Sequence, residues 1–365
     1  MTEENPAADY LARHWQPGSS GLQQKVDELL ALAHGGSGNQ ELYRDMLLSI
    51  LRMAQADRNR WDAKIMRQTI KELEAAFARL EQFKRRRKVT VFGSARTPLD
   101  CALYRLAQQV GNLLADNDYM AITGGGGGIM EAVHSGAGLD NSLSFNITLP
   151  FEQKPNRVVA GTQHDLPFRF FFLRKLFLVK EADALILCPG GFGTLDETLE
   201  ILTLIQTGKS PIVPVILLDE PGGRYWSALL EFFQQQLLGE GYILASDLNL
   251  LQLADSPEQA MQLIKGFYHN YHSSRWYQDH YQIRLNRPLS ARALEYINEA
   301  FADICSAGGF TQQVDPVAAA DDPVAAADDP ELQHLTRLCF ALNARAQGRL
   351  RALLDEVNKP ENLEQ

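Results

Sequence analysis

From Val89 onward, short β-rich runs alternate with helical patterns, and this alternation limits the possible folds more than any other feature. Such an alternation predicts a parallel sheet with helices on both faces. Several of the runs are continuously apolar, as is typical of central strands that are buried on both sides. The β-rich runs are Val89–Phe92, Tyr119–Thr123, Ser142–Leu149, Ala184–Cys188 and Ile212–Leu218. The expected fold class is therefore α/β, a Rossmann-like doubly wound parallel sheet with N- and C-terminal helical extensions.

Glycine-rich segments follow three of these runs, at the end of the sheet where parallel strands bind ligands. Gly93 and Ser94 follow the first run; they either leave amides free for an anion or form an ordinary tight turn. The five glycines 124–128 follow the second run, where the backbone can approach a ligand closely. The next helix directs its positive end at this loop. The predicted binding glycines of the loop are Gly125, Gly126 and Gly127.

The third glycine segment is PGGFGTLDE, residues 189–197, directly after Ala184–Cys188. A strand, a glycine turn and a helix start follow one another here, so free amides and the Thr194 hydroxyl predict a cradle for a phosphate. Glu197 lies about one turn into the helix, where it either reaches a sugar or merely favours the helix start. The predicted binding residues of this segment are Gly190, Gly191, Phe192, Gly193, Thr194, Leu195 and Asp196.

Composition argues against several classes of function. The net charge of −10 opposes non-specific binding to nucleic acid. The short basic run 84–88 is therefore interpreted as a solvated helix end rather than a nucleic-acid patch. Charged residues interrupt the most apolar run, Phe168–Val179, so no membrane span is expected. Four scattered cysteines predict reduced thiols in the cytoplasm, and neither they nor the histidines have the spacing of a metal site.

The pattern along the chain predicts five segments. Residues 1–87 are expected to form a helical N-terminal extension, whose apolar face over Arg60–Phe83 packs on the main domain or on a second subunit. Residues 88–271 are expected to form the catalytic domain. The remaining segments are a C-terminal extension over 272–314, a mobile linker over 315–330 that contains DPVAAAD twice, and a C-terminal helical segment over 331–365, with one helix over 331–357.

The segment PGGFGTLDE resembles the LOG (Lonely Guy) family, whose hallmark is PGGxGTxxE. FGSAR, TGGGGGIMEA and the Arg174-Lys175 pair match the family in the same order. The run from LPFEQ to LIQTGK is similar to the longer bacterial branch, which includes nucleotide 5′-monophosphate nucleosidases. The resemblance spans residues 88–270. It implies hydrolysis of the N-glycosidic bond of purine (or cytokinin) nucleoside 5′-monophosphates to free base and ribose 5-phosphate, without a cofactor.

Carried onto this sequence, the resemblance implies that Arg174 and Glu197 are the catalytic pair. Glu197 would stabilise positive charge on the ribose and orient the attacking water. Lys175, Thr203 and Glu152 would join the glycine loops at the nucleotide. From the pattern alone, Arg174 is also compatible with a surface arginine and Thr203 with an ordinary helix residue. The resemblance and the helical flanks also imply a homodimer or a higher homo-oligomer.

A second class of function competes with the enzyme: a non-catalytic nucleotide-binding sensor or regulatory protein on the same fold. The terminal extensions favour this alternative, because added helices often serve regulation or assembly. The pairing of Arg174 with Glu197 favours the enzyme, because a sensor has no need of it. Either way, the expected partner is a small-molecule nucleoside monophosphate, and no partner is expected among nucleic acids or membranes.

Overall fold

The computed structural model describes residues 20–33, 39–57, 59–148, 154–277, 279–313 and 330–364. The chain divides into two compact units, Met1–Glu74 and Ala75–Gln365. In the first unit, two helices pack through Val26, Leu30 and Leu48. The helices that begin in this unit are α1 (Ser20–Ala33), α2 (Gln40–Gln55) and α3 (Arg60–Leu80).

The second unit contains a seven-stranded parallel sheet. Its strands are β1 (Lys88–Phe92), β2 (Met120–Thr123), β3 (Ser142–Ile147), β4 (Asp165–Phe168), β5 (Ala184–Leu187), β6 (Val215–Leu218) and β7 (Gln252–Ala254). Their spatial order is β4-β3-β2-β1-β5-β6-β7, and every neighbouring pair is parallel. The order reverses between β1 and β5, which is the position where such sheets bind ligands. The Rossmann-like doubly wound sheet is therefore confirmed, with two further strands, β4 and β7, at its edges.

Helices cover both faces of this sheet. They are α4 (Ala102–Asp116), α5 (Ile129–Ala137), α6 (Phe171–Lys180), α7 (Phe192–Gln206), α8 (Tyr225–Phe232) and α9 (Pro257–Phe267). Val89 and Val91 of β1 pack in one cluster with apolar side chains of α4, α5 and α9. Thr90 lies between them and points to the other face, where its hydroxyl donates to the carbonyl of Leu178 in α6 at 2.8 Å.

Two glycines allow α4 and α5 to approach closely. A Cβ on Gly111 would lie 2.0 Å from the carbonyl oxygen of Val133, and a Cβ on Gly136 would lie 1.9 Å from that of Gln108. Gly111→Ala is therefore expected to lower the free energy of unfolding by about 1–3 kcal/mol, because the backbones must move apart. The steric cost therefore exceeds the gain of about 1 kcal/mol that alanine normally brings to a helix. Urea denaturation measures the change.

Gly266→Ala in α9 is the matched control for this prediction. A Cβ on Gly266 would meet no atom within 4 Å, so the substitution is expected to raise the free energy of unfolding by up to about 1 kcal/mol. If Gly111→Ala stabilised the protein as well, the close approach of the two helices would not be the reason for this glycine.

A second, antiparallel sheet follows, with the order β10-β11-β9-β8. Its strands are β8 (Tyr271–Tyr277), β9 (His280–Leu285), β10 (Cys305–Gln313) and β11 (Thr336–Leu342), and the helices of this region are α10 (Ala291–Ala300) and α11 (Gln347–Val357). The C-terminal region is thus not the helical extension that the sequence predicts. The predicted domain boundaries stay predictions, and the linker over 315–330 lies, except for its last residue, outside the described residues.

The single helix predicted over 331–357 is wrong, because residues 336–342 form strand β11 and the helix begins only at Gln347. Leu338, Phe340 and Leu342 are buried, whereas Cys339 and Ala341 between them are partly exposed. This two-residue period is that of a strand. Leucines 335, 338 and 342 also fall at helical spacing, so the leucine pattern alone does not distinguish the two structures.

Candidate active site

A cleft of about 680 Å³ lies at the carboxyl ends of β1 and β5. Its walls come from residues 92–96 after β1, from Gly124 after β2, and from residues 190–197 at the start of α7. Phe171 and Arg174 from α6, together with side chains of α5 and α8, complete it. The three glycine segments therefore each contribute to a single cavity at the switch point of the sheet.

Backbone hydrogen bonds hold the loops after β1 and β5 together, and glycines allow these loops to approach closely. The N–H of Ser94 donates to the carbonyl of Pro189 at 3.2 Å, and the N–H of Ile129 donates to the carbonyl of Ser94 at 3.0 Å. A Cβ on Gly93 would lie 2.7 Å from Ile129, and one on Gly190 would lie 3.0 Å from the nitrogen of Ser94. Gly93 and Gly190 thus shape the cleft, and the amide of Ser94 is already engaged.

The start of α7 presents fewer free amides than the five predicted from Gly191 to Leu195. The N–H groups of Thr194 and Leu195 both donate to the carbonyl of Gly191, at 3.0 and 3.2 Å. Within the described part of the chain, the N–H groups of Gly191, Phe192 and Gly193 have no backbone acceptor. Because the N-terminus of a helix carries partial positive charge, these three amides are suited to accept an anion at the cleft.

Gly125, Gly126 and Gly127 do not line the cleft. The side-chain amide of Asn156 donates to the carbonyls of both Gly125 and Gly126 at 3.2 Å. Asn156 also contacts the ring of His134 at 3.1 Å, and burial lowers the pKa of His134 to about 4. This neutral, buried histidine therefore supports the shape of the loop from behind.

The guanidinium of Arg174 occupies space that exists because residue 124 is glycine. Nε of Arg174 donates to the carbonyl of Phe145 at 2.9 Å, which fixes the side chain in the cleft wall. A Cβ on Gly124 would lie 2.2 Å from Nη2 of Arg174. Burial lowers the pKa of Arg174 and the charge of Glu197 raises it, but a guanidinium stays protonated throughout the physiological range. A fixed cation therefore lies in the cleft.

If Arg174 is catalytic, as the resemblance implies, Gly124→Ala is expected to reduce activity by about 10- to 100-fold, because a displacement of a catalytic group by about 1 Å has effects of this size. The clash is with the end of a flexible side chain, so the protein should still fold. Steady-state kinetics measures the loss. Gly127→Ala is the comparison within the same loop, because its Cβ would have its nearest neighbours at 3.6 and 4.0 Å. Equal losses in both variants would contradict this explanation.

Glu197 is buried in the cleft wall beside Lys175. Its side chain is 9% exposed, and its Oε2 lies 3.4 Å from Nζ of Lys175. This oxygen has no hydrogen-bond partner among the described residues. The ion pair with Lys175 compensates in part for the burial of this oxygen. Burial raises the pKa of Glu197 more than the positive charges of Lys175 and Arg174 lower it.

Lys175 joins three carboxylates of α7 and does not line the cleft. Its Nζ lies 2.8 Å from Asp196 and 2.5 Å from Glu200, in addition to its contact with Glu197. Burial lowers the pKa of Lys175, but its hydrogen bonds to Asp196 and Glu200 and the charge of Glu197 outweigh this effect, so the net pKa is raised. Lys175 therefore lies behind Glu197 as a permanent cation, rather than in the wall with the free amides.

Lys175→Met is expected to move the acidic limb of the pH–activity profile to higher pH. If Glu197 acts as a carboxylate, activity falls as the pH falls through its pKa. Lys175 lowers the pKa of Glu197, so loss of the lysine raises that pKa further. Measurement of kcat against pH tests the shift, and Lys265→Met, at an exposed position of α9, should leave the limb unchanged. An unmoved limb in Lys175→Met would contradict the coupling.

Two other predicted residues are not in the cleft wall. Thr203 is exposed on α7, where its hydroxyl donates to the carbonyl of Leu199 at 2.8 Å. Glu152 lies outside the described residues. Conversely, the cleft includes residues that were not predicted, namely Phe92, Ala95, Arg96, Gly124, Met130, Phe171 and Tyr225. Arg96 could have been predicted, because it belongs to the motif FGSAR. No motif marked Phe171 or Tyr225, although the Tyr225 hydroxyl donates to the carbonyl of Gly190 at 2.7 Å.

The described residues contain neither a cluster suited to a metal ion nor a helix suited to span a membrane. No group of three or more His, Cys, Asp or Glu side chains in this part of the chain is arranged to hold a metal ion. None of the helices in the same residues combines the length and the apolar character that a membrane span requires.

Known proteins resemble the part of the chain that forms the cleft. A family model described as "Possible lysine decarboxylase" matches residues 130–264. The probable cytokinin riboside 5′-monophosphate phosphoribohydrolase LOG4 of Oryza sativa subsp. japonica is 31% identical over 171 residues, which are 47% of this chain and 73% of the relative. The cytokinin riboside 5′-monophosphate phosphoribohydrolase LOG2 of Arabidopsis thaliana is 27% identical over 198 residues, 52% of this chain and 87% of the relative.

Among solved structures, the molybdenum cofactor binding protein from the phototrophic bacterium Rippkaea orientalis is similar over 50% of this chain and 96% of its own. Its sequence is 23% identical, and the TM-score is 0.37.

Proposed function

The chain belongs to the LOG family, and from this premise we propose that it hydrolyses the N-glycosidic bond of purine nucleoside 5′-monophosphates. The products would be the free base and ribose 5-phosphate. One observation carries the proposal: the N–H groups of Gly191, Phe192 and Gly193, which have no backbone acceptor among the described residues, and the carboxylate of Glu197 belong to the walls of a single cleft. The first group suits a phosphate, and the second suits a reacting sugar.

The spacing of these two groups along α7 fits a nucleotide. Phe192 and Glu197 are five residues apart, which corresponds to about 7.5 Å along the axis of a helix. A 5′-phosphate at the first turn of α7 would therefore leave the ribose beside Glu197. Binding energy from the phosphate holds the sugar in place while the reaction occurs at C1′.

The chemistry assigned to Glu197 is that of a base and a charge stabiliser. The water oxygen bonds to C1′ as the C1′–N9 bond breaks, and the electron pair of that bond leaves with the base. A proton of the water passes to Glu197, which then releases it to solvent, and the departing base takes up a proton from solvent. The ribose becomes positively charged on the way, and the carboxylate stabilises this charge. Arg174 would fix the nucleotide and neutralise charge near the leaving group or the phosphate.

The test is to incubate the purified full-length chain with AMP, GMP, CMP and isopentenyladenosine monophosphate and to measure free base and ribose 5-phosphate. We expect release of base from the purine nucleotides. Adenosine should react about 100-fold more slowly, because it offers the amides no phosphate. Binding of AMP without any release of base would contradict the enzyme and would support the non-catalytic nucleotide sensor.

The proposal includes a homodimer or a higher homo-oligomer. Phe172 and Leu176 on α6 and Leu199 on α7 are 53, 46 and 47% exposed, respectively. Exposed apolar side chains that together form a patch are typical of protein interfaces. Analytical ultracentrifugation tests this expectation, and a monomer at micromolar concentration would contradict it. The cytoplasmic location expected from the scattered cysteines stays a prediction.

A further inference from the structure

A second cavity, of about 650 Å³, lies at the opposite end of the central strands from the catalytic cleft. Its walls include the basic run 84–88, which leads into β1, residues 180–183 before β5, and His272 with Ser273 in β8. The length of the five-residue strand β1 separates the two cavities, which is about 13 Å from its first residue to its last. We call this second space the basic cavity.

The basic cavity carries an excess of positive charge that contrasts with the rest of the chain. Six cations and three carboxylates line it, which leaves an excess of three positive charges, whereas the whole chain has a net charge of −10. The cations are Lys84, Arg85, Arg86, Arg87, Lys88 and Lys180, and the carboxylates are Glu81, Glu181 and Asp183. Cations concentrated in a concave surface raise the local concentration of anions.

Each cation of the basic cavity has a carboxylate partner, but the partners of the outer cations are exposed. Lys84 pairs with Glu81 at 3.4 Å, Arg85 with Glu331 at 3.3 Å and Arg86 with Asp118 at 3.2 Å. Glu181 alone contacts two lysines, Lys180 at 2.6 Å and Lys88 at 3.4 Å. Arg87 lies 3.7 Å from Asp183, and its guanidinium stacks 3.6 Å above the centre of the Tyr268 ring. These contacts hold the inner cations in place. Ion pairs at exposed positions are weak, so a ligand with several negative charges can replace the carboxylates of the outer pairs.

The positive charge of the basic cavity also affects the pKa of His272 in its wall. Burial lowers the pKa of His272, and the charges of Arg87 and Arg284 lower it further. Arg284 is buried behind the wall and donates to the hydroxyl of Ser273 at 3.1 Å. Burial first, and then the positive charges of Arg87 and Arg284, therefore disfavour the protonated form of this ring.

We propose that the basic cavity binds a small anion that carries several phosphate charges, of the chemical class of inorganic tripolyphosphate or the polyphosphate group of a nucleotide. Charge-assisted hydrogen bonds from lysine and arginine to phosphate oxygens are the strongest contacts available in such a cavity. The volume is that of a site for a small ligand. A long nucleic acid fits less well, because the acidic remainder of the chain repels it. The site is separate from the catalytic cleft.

Calorimetric titration of the full-length chain with inorganic tripolyphosphate tests the proposal. The double variant Lys84→Gln/Lys180→Gln removes two cations whose side chains are 72 and 47% exposed. It is expected to bind tripolyphosphate at least about tenfold more weakly, because each lysine contributes a charge-assisted contact. The control Lys25→Gln/Lys265→Gln makes the same change in net charge at exposed positions that do not line the basic cavity, and it should bind tripolyphosphate as the unmodified chain does.

Saturation with ribose 5-phosphate distinguishes this site from the cleft. Tripolyphosphate should bind the saturated protein with unchanged affinity, and the effect of Lys84→Gln/Lys180→Gln does not depend on whether the chain cleaves nucleotides. ATP, titrated in the same way, shows whether a nucleoside adds to the affinity. The proposal is overturned if tripolyphosphate does not bind, if both double variants weaken it equally, if ribose 5-phosphate displaces it, or if a double-stranded DNA oligonucleotide binds more tightly through the same lysines.

Discussion

Glu197→Gln is expected to lower kcat by about 1,000-fold, while the affinity for AMP changes little. Glutamine keeps the shape of the side chain but can neither accept a proton from water nor carry the negative charge that stabilises the ribose, and loss of a general base alone costs about 100- to 10,000-fold. The amides at the start of α7 remain, so the phosphate should still bind. Single-turnover kinetics and a binding titration with AMP separate the two effects.

The thermal stability of Glu197→Gln should not fall together with its activity. Because burial raises the pKa of Glu197, the folded state disfavours its ionised form, and this group costs stability at pH values above its ordinary pKa. A neutral side chain removes that cost, and Lys175 keeps its contacts with Asp196 and Glu200. The Tm at neutral pH should therefore be unchanged or higher. A large fall in Tm would mean that loss of the fold explains the loss of activity.

Glu200→Gln is the matched control for Glu197→Gln. Glu200 is on the same helix, pairs with the same lysine at 2.5 Å, and does not line the cleft. Its substitution should change kcat by no more than about threefold, as for a surface residue. Equal losses in both variants would show that activity depends on the charge around Lys175 and not on the acid in the cleft.

The sequence predicts the centre of the fold well because local patterns and the overall fold agree there. Val89–Phe92 is rich in β-branched residues and Ala184–Cys188 is continuously apolar, and these runs form the buried strands on either side of the switch point. The edge strands β4 and β7 are harder to predict: β4 reads Asp165-Leu166-Pro167-Phe168, in which proline opposes a strand signal. The sequence does not predict strand β11, because the leucines of this segment also fit a helical period.

The same difference between local and long-range information applies to the site. The glycine loops could be predicted because each follows a strand directly, and parallel strands end at the same edge of a sheet. The role of Lys175 could not be predicted, because its three carboxylate partners lie on α7. The ion cluster depends on how α6 packs beside that helix. Tyr225 contacts Gly190 across 35 residues of chain, and no spacing rule reveals such a contact.

Arg174→Gln is expected to lower kcat/KM by about 100-fold, because it removes a fixed positive charge from the cleft and the charged hydrogen bonds that this group can donate. Arg174→Lys should recover little of the loss. An ammonium cannot both keep the contact that Nε makes with the carbonyl of Phe145 and present a planar fork to a ligand. Steady-state kinetics with AMP measures both variants, and the pattern of the two losses distinguishes a need for charge from a need for geometry.

The control for Arg174 is Arg169→Gln, an exposed position just before α6 that does not line the cleft. It should leave kcat/KM within about threefold of the unmodified chain. Arg174→Gln also removes the donor to the carbonyl of Phe145, which costs about 1–3 kcal/mol of stability, so rates are compared at a temperature where urea denaturation shows each variant to be folded. If folded Arg174→Gln kept full activity, the arginine would be only a support for β3, and the catalytic pair would reduce to Glu197 alone.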